Sequence, residues 1–95
     1  MRLEGEELSS RAAGLPDWQV REEHHLAKTF LFPDFQSALE FVNRVGVIAE
    51  EQGHHPDLHL AWGRVDVDTS THDAGGLTES DFTLAAAIDR AYSSR

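Results

Sequence analysis

Apolar and polar positions divide the chain into seven segments. Glu4 to Ala13 predicts a short helix ending at Gly14, a residue suited to the left-handed conformation that follows many helices. Leu15-Pro16-Asp17 is turn chemistry, and Trp18 to Arg21 predicts a short strand. From His25 to Phe32 the pattern alternates, with Leu26, Phe30 and Phe32 on one face and Ala27, Thr29 and Leu31 on the other. Pro33 interrupts it. Asp34 is a good N-cap for a helix running to about Gln52, where Gly53 ends it. In that helix Phe35, Ala38, Leu39, Val42, Val45, Gly46 and Ala49 follow helical spacing. Phe41 and Ile48 widen the stripe to roughly half the circumference, more than the ~100° that one sheet face requires. The extra width predicts a second packing partner such as another subunit.

Asp57 to Trp62 and Arg64 to Thr71 read as two strands of a hairpin turning near Gly63. Val65, Val67, Thr69 and Thr71 face one way; Arg64, Asp66, Asp68 and Ser70 face the other. After the loop Asp73-Ala74-Gly75-Gly76, a last helix starts at Thr78 and carries Asp81, Leu84, Ala85, Ile88 and Tyr92 on one face. The order helix, two strands, helix, two strands, helix predicts an α+β architecture with an antiparallel sheet.

The 95 residues make one domain, 1–95, and a domain this short gains from association with copies of itself. There is no cysteine, so disulfides, thiolate metal sites and a cysteine nucleophile are excluded. No apolar run approaches the roughly 20 residues of a membrane span. The N-terminus turns acidic without the apolar core of a secretion signal, which predicts a cytoplasmic protein. A formal charge of −9, with one lysine and seven scattered arginines, argues against direct contact with nucleic acid or anionic membranes.

Histidine changes the picture. Six are present, and His54, His55 and His72 stand at the ends of predicted elements, where a rigid element aims a side chain and a loop leaves room for a ligand. Imidazoles there can donate and accept protons near neutral pH, or simply oppose a helix dipole. Pro56 stiffens the exit from the His54-His55 pair. Glu50, four residues before His54, reads as an orienting carboxylate or as a solvated one beside Glu51. Asp81 has the spacing of a capping box with Thr78, yet it lies on the apolar face of its helix, where a carboxylate needs a partner. His24 and His25 read as exposed and His59 as structural. Trp62 reads as core or as a flat wall for an aromatic ligand. Adjacent histidines diverge, and none of the i, i+4 histidine pairs on a helix that form familiar sites is present, so a metal site is disfavoured.

Glu50-x-x-x-His54-His55-Pro56, then Trp62, His72 and Asp81, resembles the signature of the pterin-4a-carbinolamine dehydratase family. Leu15-Pro16-x-Trp18, Phe30-x-Phe32-x-Asp34-Phe35-x-x-Ala38 and Thr71-His72-x-x-Gly75-x-Leu77-Thr78-x-x-Asp81-Phe82 extend the likeness over nearly the whole chain. The resemblance implies a four-stranded antiparallel sheet backed by helices, and dimers or tetramers in which sheets and the long helix meet. It implies dehydration of a 4a-hydroxytetrahydropterin to the quinonoid dihydropterin, with the pterin as substrate and no cofactor or metal. By the same resemblance His54, His55 and His72 are the active-site histidines. His54 and His72 are expected as acid and base, with His55 binding the pterin. Glu50 and Asp81 are expected to orient imidazoles or bind pterin, and Trp62 to line or support the pocket. Ser80 departs from a basic or amide residue in many members, and residues 57–61 lack aromatics found in some. Animal members also serve as dimerisation partners of a homeodomain transcription factor, and some bacterial relatives act in assembly, so an interaction module is the alternative.

Overall fold

In the computed structural model of the chain, which describes residues 1–94, Asp34 opens the central helix, α2 (Phe35–Gln52), by accepting the Ser37 N–H on its side chain at 2.8 Å. That backbone hydrogen bond, helped by the Ser37 side chain, holds the Asp34 carboxyl below its usual value. The helix ends as the sequence predicts. Gly53 is left-handed at φ +64°, its N–H bonds the Glu50 carbonyl at 3.3 Å, and the His54 N–H bonds the Ala49 carbonyl at 3.1 Å. These two bonds form the Schellman arrangement, in which glycine tolerates a backbone that costs other residues ~1–2 kcal/mol.

Around this helix run α1 (Gly5–Ala13), β1 (Gln19–Arg21), β2 (His25–Leu31), β3 (Asp57–Ala61), β4 (Arg64–Thr69), a 3₁₀ turn (His72–Ala74) and α3 (Glu79–Ser93). The four strands form one antiparallel sheet in the order β1-β2-β4-β3. The architecture is the predicted α+β one. Alternation decides which face is covered. Leu26, Phe30, Val65, Val67 and Thr69 are buried beneath the helices, whereas Thr29, Leu31 and Arg64 are exposed on the far face. Leu8 joins α1 to the same core, and α3 contributes Leu84, Ala85 and Ile88.

Three expectations need correction. Gly14 is right-handed (φ −76°), because the chain leaves α1 through successive tight turns, Leu15 N–H to Ala12 and Trp18 N–H to Leu15, and needs no reversal there. The fourth strand stops at Thr69; Thr71 and Gly76 exchange backbone hydrogen bonds that close a loop, so His72 opens a 3₁₀ turn and does not end a strand. Phe41 does not widen the stripe toward another subunit. It is 2% exposed and packs on Phe30, Phe32 and Tyr92, with ring centroids 4.9–5.7 Å apart, so its second partner is α3 of the same chain. The surplus apolar width lies on the other side of α2, where Phe35, Leu39 and Val47 are exposed.

Candidate functional site

The site begins with a carboxylate that water does not reach. Asp81, in the first turn of α3, is 0% exposed and accepts four hydrogen bonds. Its Oδ1 takes His54 Nε2 at 2.6 Å and the Thr69 hydroxyl at 2.7 Å. Its Oδ2 takes the Thr71 hydroxyl at 2.7 Å and the Thr78 N–H at 2.9 Å. Both sequence readings of Asp81 hold together, because one oxygen caps α3 while the other meets an imidazole. Every lone-pair direction is occupied, which is how a buried charge is tolerated.

His54 reaches Asp81 because the left-handed Gly53 turns the chain off α2 toward the core. A carboxylate only accepts, so Nε2 donates to it and Nδ1 is the nitrogen left to exchange a proton. The next residue points elsewhere. His55 is exposed, and its Nε2 meets the Glu50 carboxylate across the last turn of α2. Glu50 thus pairs with His55, not with His54 as the i, i+4 spacing suggested, since His54 has already left the helical path. Both partners of that pair are largely solvated (61% and 78% exposed side chains), so it contributes little stability. Pro56 is half-buried between His55 and the first residue of β3.

His72 joins the group through the chain itself. It follows Thr71, whose hydroxyl lies on Asp81 and within 2.8 Å of the Thr78 hydroxyl. Hydrogen bonds thus join His54, Asp81 and Thr71 at one end of the sheet, and His72 follows Thr71 in the chain. His72 is exposed and lines a hollow of about 290 Å³ with His24, His25, Thr71 and the Gly75–Gly76 pair. A broader concavity of about 730 Å³ lies against the loop, bounded by Arg2, Thr71, Asp73 and Thr78. Neither concavity is lined by His54 or His55.

The fold does not bring Trp62 to this end of the molecule. It stands in the β3–β4 turn, 69% exposed, and the six steps along β3 from Pro56, at ~3.3 Å each, set it about 20 Å away. Sequence reasoning missed Thr69 and Thr71 as the hydroxyls that hold Asp81. The signal was present, as two polar residues at alternate positions on an otherwise apolar strand face. His24 is exposed as read, whereas His25 is half-buried, with Nδ1 2.8 Å from Asp68 Oδ1. Among the described residues no three His, Asp or Glu side chains are grouped as ligands for a metal ion, and no helix is long and apolar enough to cross a membrane.

At one end of this α+β sheet, then, a buried carboxylate holds the imidazole of His54, a side-chain type that can exchange protons near neutral pH. The chain belongs to the pterin-4a-carbinolamine dehydratase family, whose profile matches residues 1–91. A Rubrobacter xylanophilus protein provisionally named as such a dehydratase is 56% identical over 93% of this chain and 82% of its own length. A Chloroflexus aggregans protein with the same provisional name is 46% identical over 93% of this chain and 94% of its own. Among solved structures, a transcriptional coactivator/pterin dehydratase from Brucella melitensis superposes with a TM-score of 0.91 at 31% identity, covering 97% of this chain and 99% of that one. A pterin dehydratase-like RuBisCO assembly factor of the α-carboxysome shares the fold, with a TM-score of 0.70 at 20% identity over 80% of this chain and 89% of its own.

Proposed function

We propose that the protein dehydrates 4a-hydroxytetrahydropterin to quinonoid dihydropterin by imidazole acid–base catalysis, without a metal or a further cofactor. In this reaction the C4a–O bond breaks as a proton is delivered to the leaving oxygen, which departs as water. A ring nitrogen forms the new C=N bond as its own N–H gives up a proton. Nothing is oxidised or reduced, and one proton donor and one acceptor near neutral pH suffice. His54, held through Nε2 by Asp81, and His72 fill these two roles, while His55 and Glu50 bind and steady the pterin. The names of the relatives support the substrate class. The observation that carries the reading is the fully hydrogen-bonded Asp81 beneath His54. An imidazole fixed this way by a buried carboxylate is not needed by a scaffold.

The test is an assay in which the carbinolamine is generated enzymatically in situ and its loss is followed. Wild-type protein should accelerate the loss well above the spontaneous rate. A rate equal to that of buffer would remove the dehydratase reading and leave the interaction or assembly module as the function of the fold.

We further propose a homodimer or homotetramer joined through the exposed apolar row of α2, Phe35, Leu39 and Val47. Sedimentation equilibrium should give a mass two or four times that of one chain, and Leu39→Glu should shift it toward the monomer. A monomeric wild type would contradict this.

A further inference from the structure

The buried face of β4 holds Val65, Val67 and Thr69 at alternate positions, none more than 1% exposed. Threonine has the shape of valine with one methyl exchanged for a hydroxyl. A hydroxyl in an apolar layer is unfavourable without a partner. Among the described residues this one has a single partner, Asp81 Oδ1 at 2.7 Å. The β-branched side chain has little freedom at χ1, so the strand aims the hydroxyl at that oxygen.

The four donors on Asp81 fall into two pairs. Oδ2 serves the loop and the helix end. The Thr78 N–H at 2.9 Å belongs to the α3 cap, and the Thr71 hydroxyl at 2.7 Å also meets the Thr78 hydroxyl at 2.8 Å. Oδ1 holds only His54 Nε2 and Thr69. The terminal torsions of aspartate and histidine are both broad, so covalent geometry fixes neither the carboxylate plane nor the ring. His54 stands outside α2, just after the left-handed Gly53, and a ring free to turn cannot hold the oxygen that holds it. Thr69 is the one donor on Oδ1 that is mounted on the sheet.

We propose that Thr69 is a positioning residue for the dehydration. Its hydroxyl, anchored in β4, sets where Asp81 Oδ1 lies and through it the direction in which His54 presents Nδ1. This rests on the dehydratase reading and gives the sheet a part in it. At 1% exposure Thr69 does not meet the substrate itself, so its effect falls on turnover and not on binding.

Thr69→Val, Thr69→Ser and Thr69→Ala separate the hydroxyl from the shape, with kcat and KM for carbinolamine dehydration and the thermal unfolding midpoint measured on each. Valine keeps the shape and removes the hydroxyl. Its kcat should fall about ten- to hundredfold, the scale of a catalytic group misplaced by up to about 1 Å, while KM moves by less than about twofold. Serine keeps the hydroxyl and loses the methyl. Its kcat should stay within about threefold of wild type, the stiffness at χ1 being lost, although its unfolding midpoint falls. Alanine loses both and should be as slow as valine. Activity would then follow the hydroxyl and not the unfolding midpoint. A packing role gives the reverse order, with valine active and serine impaired, and that result would overturn the proposal. So would valine at the wild-type rate, or a valine variant that did not fold, which would assign the hydroxyl to the fold. In each of these cases wild-type turnover would leave the dehydratase reading standing. A wild type no faster than buffer would end that reading, and this proposal with it.

Discussion

Replacing His54 by glutamine is expected to lower kcat for carbinolamine dehydration by about 10²–10⁴-fold, the usual contribution of a positioned acid or base, with the fold intact. The side-chain amide of glutamine can still donate to Asp81, so the buried carboxylate keeps four donors and the unfolding midpoint should move little. What glutamine lacks is a second nitrogen able to take up and release a proton. His72→Ala should produce a loss of the same order for the complementary step. That side chain is exposed, so the stability change should stay within about 0.5 kcal/mol. Stopped assays with thermal unfolding on the same preparations check both. If either variant turned over at the wild-type rate, the corresponding imidazole would not handle a proton in the reaction.

Local rules made much of the scaffold legible. Asp34 before an amphipathic run and Gly53 after it set the ends of α2, because capping and the left-handed glycine depend on residues adjacent in the chain. Period-two alternation identified the buried face of β4 for a similar reason. The site was legible as a set of residue types, not as a set of contacts. His54 and Asp81 are 27 positions apart, and no spacing rule links a helix exit to the first turn of a later helix. Glu50 shows the opposite failure. Its i, i+4 distance from His54 is meaningful only inside a helix, and Gly53 breaks the helix first. Trp62 came with the pattern of the family, but the length of β3 carries it to the far end of the hairpin. The His25–Asp68 pair needed the β2–β4 register, which sequence alone does not provide.

Asp81 is where fold and chemistry are hardest to separate, and two substitutions pull them apart. Asp81→Ala leaves the Thr78 N–H, the Thr69 and Thr71 hydroxyls and His54 Nε2 without an acceptor at a position that is 0% exposed. Unsatisfied buried donors cost ~1–3 kcal/mol each. The hydroxyls can turn, as the existing Thr71–Thr78 contact indicates, and His54 keeps some access to water at 16% side-chain exposure. A net loss of about 3–5 kcal/mol is therefore expected, a large part of the stability of a domain this size. Asp81→Asn keeps the shape. The Thr78 N–H cannot reverse, so the amide oxygen should take that side and the amide NH₂ should face His54. Nε2 must then accept, the ring proton moves to Nδ1, and the nitrogen left for the substrate no longer has its lone pair. The asparagine variant should accordingly lose only ~1–3 kcal/mol in chemical denaturation yet fall about 10²–10⁴-fold in kcat, with ¹⁵N shifts of the His54 ring reporting the exchanged tautomer. Asparagine at wild-type rate with the tautomer exchanged would show that Asp81 serves the helix cap alone and that the His54 proton is not set by it.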